Sequence, residues 1–406
     1  MSIFDKAVDR RSSNADKWNK AAINDICGNP NAEAFWVADM DLATSPLIKE
    51  ALQRETDLSV PGYASHKNML PYFISFVNHK HGWQLDRANV TYAQGMLHAI
   101  SLALNMFTNP GDEVLLPYPV YQPFVHLIQN SERVVKRFDL TNECGTFTFD
   151  REKYSLISKD CKAIMFCSPH NPSGLVFKKE DLEFILKLAK ERGQLVLSDE
   201  IHSDLVHPSA KHYPMGYVNK DINATCITFM APSKTFNVAG EHCAFAIFSD
   251  KEMLERYKAV QKRLFLGSEG YFAGTLAEAV YSPENYQFLD DLDKYLEDNA
   301  ELMRNFFKAE CPEVKMGNAS ASFIVFLDFS EVWPKILEDS KKHPEIYDND
   351  HYILSHFLGH YANLCLNDGS WFGSGYEAFA RFNYGTSREE VISALNAIKK
   401  AINALN

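Results

Sequence analysis

A lysine that follows a short apolar segment is the residue whose chemistry stands out in this sequence. Lys234 lies between Ser233 and Thr235, four residues beyond the end of the apolar segment 226–230. Lysine is rarely fully buried without a partner, and its ammonium, with a free pKa of roughly 10.4, is a poor nucleophile near neutral pH. A neutral lysine amine condenses with an aldehyde to form a Schiff base. A bound aldehyde would therefore account for Lys234.

Three further polar positions also follow predicted strands. Asn171 lies in SPHNPSG, Asp199 lies in SDEIH, and Gly95 begins a helical pattern. Each has an ordinary structural explanation when taken alone. Asn-Pro and Ser-Gly pairs mark turns, an acid at a strand end caps a helix, and a glycine before a helix belongs to a turn. Taken together with Lys234, they match the requirements of one aldehyde cofactor, pyridoxal phosphate.

Pyridoxal phosphate needs three kinds of contact besides its lysine. Its ring nitrogen needs a carboxylate, such as Asp199, that keeps the ring protonated and able to accept electrons from a carbanion. Its phenolate oxygen needs a donor that adds no charge, and Asn171 can supply one. Its phosphate needs a hydroxyl and the backbone N–H groups of a helix N-terminus. The candidates for the phosphate contacts are Gly95, Met96, Leu97 and Ser233.

Alternating strands and helices are predicted to position these residues. Segments 162–168, 194–199 and 226–230 are typical of short buried strands, and apolar residues recur at helical spacing over 180–192. This alternation predicts an α/β fold with a mainly parallel sheet and helices on both faces. Ligands of such sheets bind at the carboxyl ends of the strands, which is where the polar positions occur.

The length of 406 residues predicts two domains, because single cores stop growing at about 250–300 residues. We expect residues 49–282 to form a large cofactor-binding domain, and residues 1–48 and 283–406 to form a smaller α+β domain. The formal net charge of −12 argues against general binding to nucleic acid or anionic membranes. The polar N-terminus and the lack of long apolar stretches favour a cytoplasmic protein without a signal peptide or membrane span.

Other titratable residues are given structural interpretations. The eight cysteines form no C-x-x-C pair, and the spacing of His202 and His207 misses that of a helical zinc pair, so no metal site is predicted. The segment 79–81 (His-Lys-His) is interpreted as an exposed turn. Glu200 and Asp204 are interpreted as charges at the start of a helix.

The sequence resembles the aspartate-aminotransferase-like superfamily, the fold type I pyridoxal-phosphate enzymes, over nearly its whole length. Within it, the chain is similar to the cystathionine β-lyase branch, which includes cystalysin and the maltose-regulon modulator. The resemblance implies a seven-stranded, mainly parallel sheet in the large domain. The motifs that carry it are VADMD (37–41), GYASHK (62–67), PYPVYQPF (117–124), SPHNPSG (168–174), SDEIHSDLV (198–206), APSKTFNVAG (231–240), LNDGSWFG (366–373) and FARFNYG (379–385).

The resemblance also implies roles for residues in these motifs. Lys234, Asp199 and Tyr121 would be catalytic, with Tyr121 stacked on the cofactor ring. His202 would also contact the cofactor, because it stands where aminotransferases place a tyrosine that donates to the phenolate. Tyr63 would reach the phosphate of a neighbouring subunit, which makes a homodimer the functional unit. The substrate side would be formed by Arg381, which would bind the α-carboxylate as a bidentate fork, and by Val37, Ala38, Asn171 and Trp371.

Two positions depart from the family pattern. Lyases of this branch often have two adjacent tyrosines where this chain has Tyr121 and Gln122. This chain would therefore handle the leaving group without the second tyrosine that those lyases have. His242 stands eight residues after Lys234, where aspartate aminotransferases often have a phosphate-binding arginine. Phosphate binding would therefore depend on backbone dipoles and on Tyr63 of the neighbouring subunit.

The residues predict amino-acid chemistry on pyridoxal phosphate but leave the outcome open. Loss of a thiol from the β-carbon of cystathionine or an S-substituted cysteine would release pyruvate and ammonia, and the resemblance favours this β-elimination. Return of the proton to the cofactor would instead give an aminotransferase that moves an amino group between an L-amino acid and a 2-oxo acid. A further alternative is a regulatory protein-binding module that retains pyridoxal phosphate.

Overall fold

The computed structural model describes residues 2–347 and 351–405. The strands are β1 Glu33–Ala34, β2 Val90–Ala93, β3 Glu113–Tyr118, β4 Val134–Asp139, β5 Thr141–Glu143, β6 Thr146–Thr148, β7 Ala163–Cys167, β8 Leu195–Asp199, β9 Cys226–Met230, β10 Ala244–Phe248, β11 Lys315–Met316, β12 Ile324–Asp328, β13 Leu364–Cys365, β14 Asn367–Asp368 and β15 Phe379–Asn383. The α-helices are α1 Lys20–Cys27, α2 Pro46–Asp57, α3 Met69–His81, α4 Met96–Phe107, α5 Gln122–Asn130, α6 Arg151–Ile157, α7 Lys179–Arg192, α8 Met215–Asn219, α9 Lys251–Arg263, α10 Tyr271–Val280, α11 Tyr286–Glu310, α12 Trp333–Lys342, α13 Ile353–Phe357 and α14 Arg388–Asn403.

A seven-stranded sheet forms the centre of the fold, with the strand order β2-β10-β9-β8-β7-β3-β4. The pairs from β4 through β9 are parallel, and β10 runs antiparallel to both β9 and β2. Strands β7, β8 and β9 are buried at every residue, which explains their continuous apolar sequences. The prediction of a mainly parallel α/β sheet is confirmed.

Helix α7 illustrates how the local sequence sets the ends of a helix that packs on this sheet. Acidic residues occupy its first turn and basic residues its last turn, which suits the helix dipole. Gly193 follows the helix in the left-handed conformation, with φ of 64°, which is typical of a glycine at the C′ position. Its apolar face, which includes Leu182, Ile185 and Leu186, lies in one hydrophobic core with the sheet.

A second sheet follows in the C-terminal part of the chain, with the order β11-β12-β15-β14 and antiparallel pairing throughout. The N-terminal strand β1 pairs with β13, so part of the N-terminus joins this region. Side chains of α11 and α14 pack with β12 in a second hydrophobic core, which also contains residues of α3 and α10. The domain limits at residues 49 and 282 stay a prediction.

The two sheets bring polar residues together at one place. β7, β8 and β9 are adjacent and parallel, so the residues that follow them lie at one edge of the central sheet. Strand β15, which lies between β12 and β14 in the C-terminal sheet, carries Arg381. Among the helices that the structure describes, none is both long enough and apolar enough to span a bilayer.

Candidate active site

A cavity of about 590 Å³ opens at the carboxyl edge of the central sheet. It collects the predicted site residues from seven of the motifs and from the segment 95–97. The predicted positions that line it are Val37, Ala38, Gly95, Met96, Leu97, Tyr121, Asn171, Asp199, His202, Ser233, Lys234, Trp371 and Arg381. Tyr63 is the exception, because it is fully exposed in the loop before α3 and does not line the cavity of its own chain.

Lys234 lies in the turn after β9 and points its amine toward the N-terminal part of the chain. Its Nζ donates a hydrogen bond of 2.6 Å to the carbonyl oxygen of Ala38. Burial of the amine, together with the positive charge of Arg381, lowers the pKa of Lys234 to about 8. The amine is therefore far easier to deprotonate than that of an ordinary lysine, which suits a nucleophile or a base.

Asp199 is the last residue of β8, and its side chain is buried. Its Oδ1 accepts a hydrogen bond of 2.9 Å from the backbone N–H of Ile201. Burial raises the pKa of the Asp199 carboxyl to about 7, although the Ile201 N–H and the nearby Lys234 charge favour the ionised form. A further cationic donor in the cavity would stabilise this carboxylate, and a protonated pyridine nitrogen is such a donor.

Arg381 is a buried cation whose described partners are all neutral. Its Nη1 donates to Asn171 Oδ1 at 3.1 Å, and its Nη2 donates to Asn367 Oδ1 at 2.6 Å and to the Trp36 carbonyl at 2.7 Å. Burial lowers the pKa of the guanidinium to about 10. A buried charge without a counter-ion is costly, so this site favours an anionic ligand such as a carboxylate.

The hydrogen bond from Arg381 Nη1 also orients the side chain of Asn171. Because its Oδ1 accepts from Arg381, its Nδ2 is left to donate to a ligand. His202 lies nearby with its Nδ1 2.8 Å from Ser322 Oγ. Burial, together with the charges of Lys234 and Arg381, holds the pKa of His202 well below its usual value, so the ring is neutral. The site therefore offers uncharged donors beside the lysine.

Gly95 and the start of α4 form the opposite end of the cavity. Gly95 has φ of 101°, a left-handed value that favours glycine, and a Cβ at this position would lie 3.4 Å from His242 Nδ1. It precedes the first turn of α4, whose N–H groups have no partner within the helix. Ser233 and Gln94 line the same end. Among the described residues that line this end, none is a lysine or arginine.

This donor set fits pyridoxal phosphate. It provides an amine for the aldehyde, a buried carboxylate for the ring nitrogen and an uncharged amide for the phenolate. It also provides a helix N-terminus for the phosphate.

The chain matches the family model described as aminotransferase class I and II over residues 35–398. The chain belongs to this family. It is 33% identical over 402 residues to cystathionine beta-lyase PatB of Bacillus subtilis. This alignment covers 98% of the chain and 99% of the relative. It is 29% identical to cystathionine beta-lyase of Corynebacterium glutamicum, over 91% of this chain and 93% of the relative.

The fold is also similar to that of a solved structure that contains pyridoxal 5'-phosphate. The crystal structure of cystalysin from Treponema denticola, which contains a pyridoxal 5'-phosphate cofactor, is 28% identical to the chain. It superimposes with a TM-score of 0.88, over 99% of each chain. An aspartate aminotransferase of Pyrococcus horikoshii is 25% identical in sequence, over 90% of this chain and 89% of the relative. The family therefore includes relatives named as lyases and relatives named as transferases.

Several residues of the site were missed or misinterpreted from the sequence. Asn367 holds Arg381, but it lies on β14 and only the pairing of β14 with β15 places it there. The interpretation of Glu200 as a helix-start charge was wrong: it is buried in a turn after β8, where it accepts a hydrogen bond of 2.7 Å from the Met215 N–H and lies 2.9 Å from His212 Nε2.

The interpretations of Asp204 and of segment 79–81 were also wrong. Residues 79–81 form the last turn of α3 rather than an exposed turn. The side chain of His81 is 3% exposed, and its Nε2 lies 2.9 Å from Asp204 Oδ1. The other carboxylate oxygen of Asp204 accepts a hydrogen bond of 3.0 Å from Thr235, next to Lys234. These buried residues support the turn that carries Lys234.

Proposed function

We propose that this protein is a carbon–sulfur β-lyase that uses pyridoxal phosphate. It would act on cystathionine or another S-substituted cysteine and release a thiol, pyruvate and ammonia. The observation that carries the proposal is the arrangement of Lys234, Asp199 and the unpaired Arg381 charge around one cavity. The relatives named cystathionine beta-lyase, at 33% and 29% identity, favour elimination among the reactions open to such a site.

The cofactor contacts follow from the geometry of the cavity. Lys234 would hold the aldehyde carbon, Asp199 the ring nitrogen and Asn171 the phenolate oxygen. The N-terminus of α4 and Ser233 would hold the phosphate. Tyr121, which immediately precedes α5 and lines the cavity, would pack against the ring. When bound, pyridoxal phosphate supplies the electron sink that stabilises a carbanion at the substrate α-carbon.

The substrate contacts come from the C-terminal sheet and the N-terminal segment. Arg381 would bind the substrate α-carboxylate, which would supply the anion that its neutral partners Asn171 and Asn367 lack. Val37 and Ala38 line the cavity, as does Trp371, whose ring contacts that of the adjacent Trp36. A carboxylate bound at Arg381 would fix one substituent of the α-carbon, which limits the ways in which its hydrogen can face Lys234.

Lys234, once the amino group of the substrate has displaced it from the aldehyde carbon, would move the proton that starts the reaction. With a pKa of about 8, set mainly by burial, its neutral amine is populated near neutral pH and can take the α-proton onto Nζ. The C–S bond then breaks, and its electron pair leaves with the sulfur. Hydrolysis of the remaining carbon skeleton gives pyruvate and ammonia.

An aminotransferase is the second candidate. Gln122 stands where related lyases often have a second tyrosine, and the P. horikoshii relative is named aspartate aminotransferase. The same residues would serve both reactions up to the loss of the α-proton. In the transferase Lys234 would deliver the proton away from the α-carbon, bound pyridoxal phosphate would supply the acceptor for the amino group, and no leaving group would depart from the β-carbon.

One experiment separates the two candidates. The purified holoenzyme is incubated with L-cystathionine in the absence of any 2-oxo acid, and pyruvate is measured with lactate dehydrogenase. The lyase proposal expects steady release of pyruvate together with an equal amount of thiol. Amino-group exchange that requires an added 2-oxo acid, without pyruvate from cystathionine, would contradict the lyase and favour the transferase.

The working unit is proposed to be a homodimer in which Tyr63 contacts the phosphate of the other subunit. Tyr63 lies in an exposed segment with Leu58 and Val60, which are 63% and 71% exposed. A cluster of exposed apolar side chains is typical of an interaction surface. The phosphate end of the cavity contains no lysine or arginine among its described lining residues, so a phenol from a second copy would add a donor that the site lacks.

Subunit complementation tests this arrangement. Tyr63→Ala and Lys234→Ala chains are each expected to have low activity, but mixed dimers would contain one site with both Lys234 and a neighbouring Tyr63. Co-expression in equal amounts should restore about a quarter of wild-type activity, since half of the dimers are mixed and each has one complete site. No restoration in mixed dimers that are isolated with two affinity tags would contradict the proposal. The regulatory protein-binding role and the cytoplasmic location stay predictions.

A further inference from the structure

One of the residues that line the cavity is an exposed acid, Asp16. Asp16 begins the short 3-10 turn Asp16–Trp18, and it lines the cavity together with Trp36, Trp371 and Phe372. Asp16 is an exposed residue, whereas the other aspartate of the lining, Asp199, is buried at the end of β8. The carboxylate of Asp16 is therefore accessible both to solvent and to a ligand that enters the cavity.

The neighbouring residue fixes the turn that carries Asp16. The side chain of Lys17 is 1% exposed, and its Nζ lies 2.5 Å from Asp41 Oδ2. The backbone carbonyl of Lys17 accepts a hydrogen bond of 3.0 Å from Trp36 Nε1. Because the Lys17 carbonyl, next to Asp16 in the chain, is hydrogen-bonded to the Trp36 ring, the Asp16 carboxylate and the Trp36 indole are held on one wall of the cavity.

Nearby positive charges are already paired with other carboxylates. Lys17 pairs with Asp41, and Arg10 pairs with both Asp39 and Asp41 at 2.9 and 2.8 Å. Asp16 takes part in no ion pair with the lysines, arginines and histidines of residues 2–347 and 351–405. Its charge is therefore left to a ligand or to solvent.

Aromatic rings complete this wall. The rings of Trp36 and Trp371 meet edge to face, with centroids 6.4 Å apart and an interplanar angle of 88°. Trp371 also packs edge to face against Tyr352, at 5.7 Å. The face of an indole attracts cations through its quadrupole, and a carboxylate beside it adds charge attraction. An acid next to two tryptophans is the chemistry that recognises an ammonium group.

We propose that Asp16, Trp36 and Trp371 form a subsite for a positively charged group on the sulfur substituent of the substrate. The inference rests on the proposed lyase function and deepens it by naming the substrate class. The preferred substrates are S-substituted cysteines whose substituent ends in an ammonium group.

The position of the subsite relative to the substrate carboxylate supports this assignment. The carbonyl oxygen of Trp36 accepts a hydrogen bond of 2.7 Å from Arg381 Nη2, while its ring is bonded to the residue after Asp16. Trp36 therefore connects the carboxylate receptor to the acidic wall. The α4 end of the cavity is formed by different residues, Gly95 and Ser233 among them, so the acidic wall does not compete with the cofactor phosphate.

A pair of isosteric ligands tests the proposal. S-(2-aminoethyl)-L-cysteine and S-propyl-L-cysteine differ in the terminal group, which is an ammonium in one and a methyl in the other. Apparent dissociation constants are read from the initial change in visible absorption of the holoenzyme, and kcat/KM is read from pyruvate release. We expect the wild type to bind the aminoethyl compound about five- to tenfold more tightly, in keeping with a cation–π contact and an exposed ion pair.

Asp16→Asn removes the charge and keeps the size of the side chain. It should bring the ratio of the two dissociation constants close to one, act mainly on KM rather than kcat, and leave S-propyl-L-cysteine unaffected. Asp9→Asn, at an exposed acid of the same segment outside the cavity, is the matched control and should preserve the wild-type ratio. An equal ratio in wild type and Asp16→Asn, or an equal loss in Asp9→Asn, would overturn the subsite.

The two readouts separate this inference from the proposed function. Preferential binding of the aminoethyl compound without pyruvate release supports the subsite and contradicts the lyase. Pyruvate release from both compounds, without a preference in binding, supports the lyase and contradicts the subsite.

Discussion

The two ends of the cavity differ in how they handle charge. At the ring end, which would receive the cofactor ring, the charged groups of Lys234, Asp199 and Arg381 lie away from water. The phosphate end consists of helix backbone and a hydroxyl beside exposed residues. The pKa values of Lys234, Asp199 and Arg381 are moved to about 8, 7 and 10, in each case chiefly by burial. At the phosphate end, Leu97 is 38% exposed and His242 is also an exposed residue.

The contrast shows that the interacting charged side chains are concentrated at the ring end of the cavity. Arg381 lowers the pKa of Lys234, so the two cations disfavour each other until an anion enters. In the protein interior such interactions are strong, because the local dielectric is low. The phosphate end instead relies on oriented N–H groups that solvent can also reach. We therefore expect substitutions at the ring end to change the chemistry, and substitutions at the phosphate end to change cofactor retention.

Lys234→Ala should have the largest effect. Without the amine, the chain can neither attach the cofactor covalently nor take the α-proton, and loss of such a group typically costs about 10²–10⁴-fold in rate. The measurements are pyruvate release and the visible absorption band of the purified protein. The far-ultraviolet circular dichroism spectrum should match that of the wild type, which confirms folding. A wild-type band in the purified variant would refute covalent attachment at residue 234.

Asp199→Asn should rank second. The amide keeps the shape of the side chain, but it does not hold a proton on the ring nitrogen, and removal of an electrostatic contact of this kind costs about 10²–10³-fold in kcat. Asp199→Glu, which retains the charge, is the matched variant and should keep more activity than Asp199→Asn. If Asn and Glu at this position are equally active, the charge at the ring end has no role in the reaction.

Much of the ring end could be predicted from the sequence, because its members lie at or shortly beyond the ends of strands. Asp199 ends β8, and Asn171 and Lys234 come shortly after β7 and β9. Parallel pairing alone brings the ends of these strands together. The partner of Arg381 could not be predicted in this way. Asn367 faces Arg381 only because β14 pairs with β15 in the register Asn367↔Arg381, and a two-residue strand has no clear signal in the sequence.

The buried acids show a second limit of the sequence. Glu200 and Asp204 follow β8 in a pattern that also suits the start of a helix, yet the chain forms turns there. Their burial depends on His212 and His81, which come from distant segments and lie 2.9 Å from the respective carboxylates. Local charge patterns do not reveal such long-range partners. Asp16 was missed for the same reason, since its place at the cavity depends on Trp36.

The pH dependence of cofactor attachment gives the third prediction. Attack on the aldehyde requires the neutral amine, and the pKa of Lys234 is lowered to about 8 by burial and by Arg381. The attachment rate of the apoenzyme should therefore rise about tenfold per pH unit below 8 and level off above it, whereas an ordinary lysine would keep rising toward its pKa of about 10.4. Stopped-flow absorbance measures this rate.

Arg381→Gln provides the control for that profile. Removal of the guanidinium takes away a charge that lowers the pKa of Lys234, so the midpoint of the profile should move to higher pH. An unchanged midpoint would mean that the two cations do not interact, and that the charge coupling attributed to the ring end is absent.

His242→Arg should have the smallest effect and bears directly on the phosphate end. His242 Nδ1 lies 3.4 Å from the position of a Cβ on Gly95, so a side chain at residue 242 borders the first turn of α4. An arginine there would add a charged donor to a site that lacks one among its described lining residues, and we expect the cofactor dissociation constant to fall about three- to tenfold. Equilibrium titration of the apoenzyme measures it. His242→Gln, which adds no charge, should leave the constant near its wild-type value. If the arginine does not increase the affinity for the cofactor, backbone N–H groups and the second subunit already neutralise the phosphate. The lack of a charged side chain at the phosphate end would then not weaken cofactor binding, contrary to the contrast drawn between the two ends.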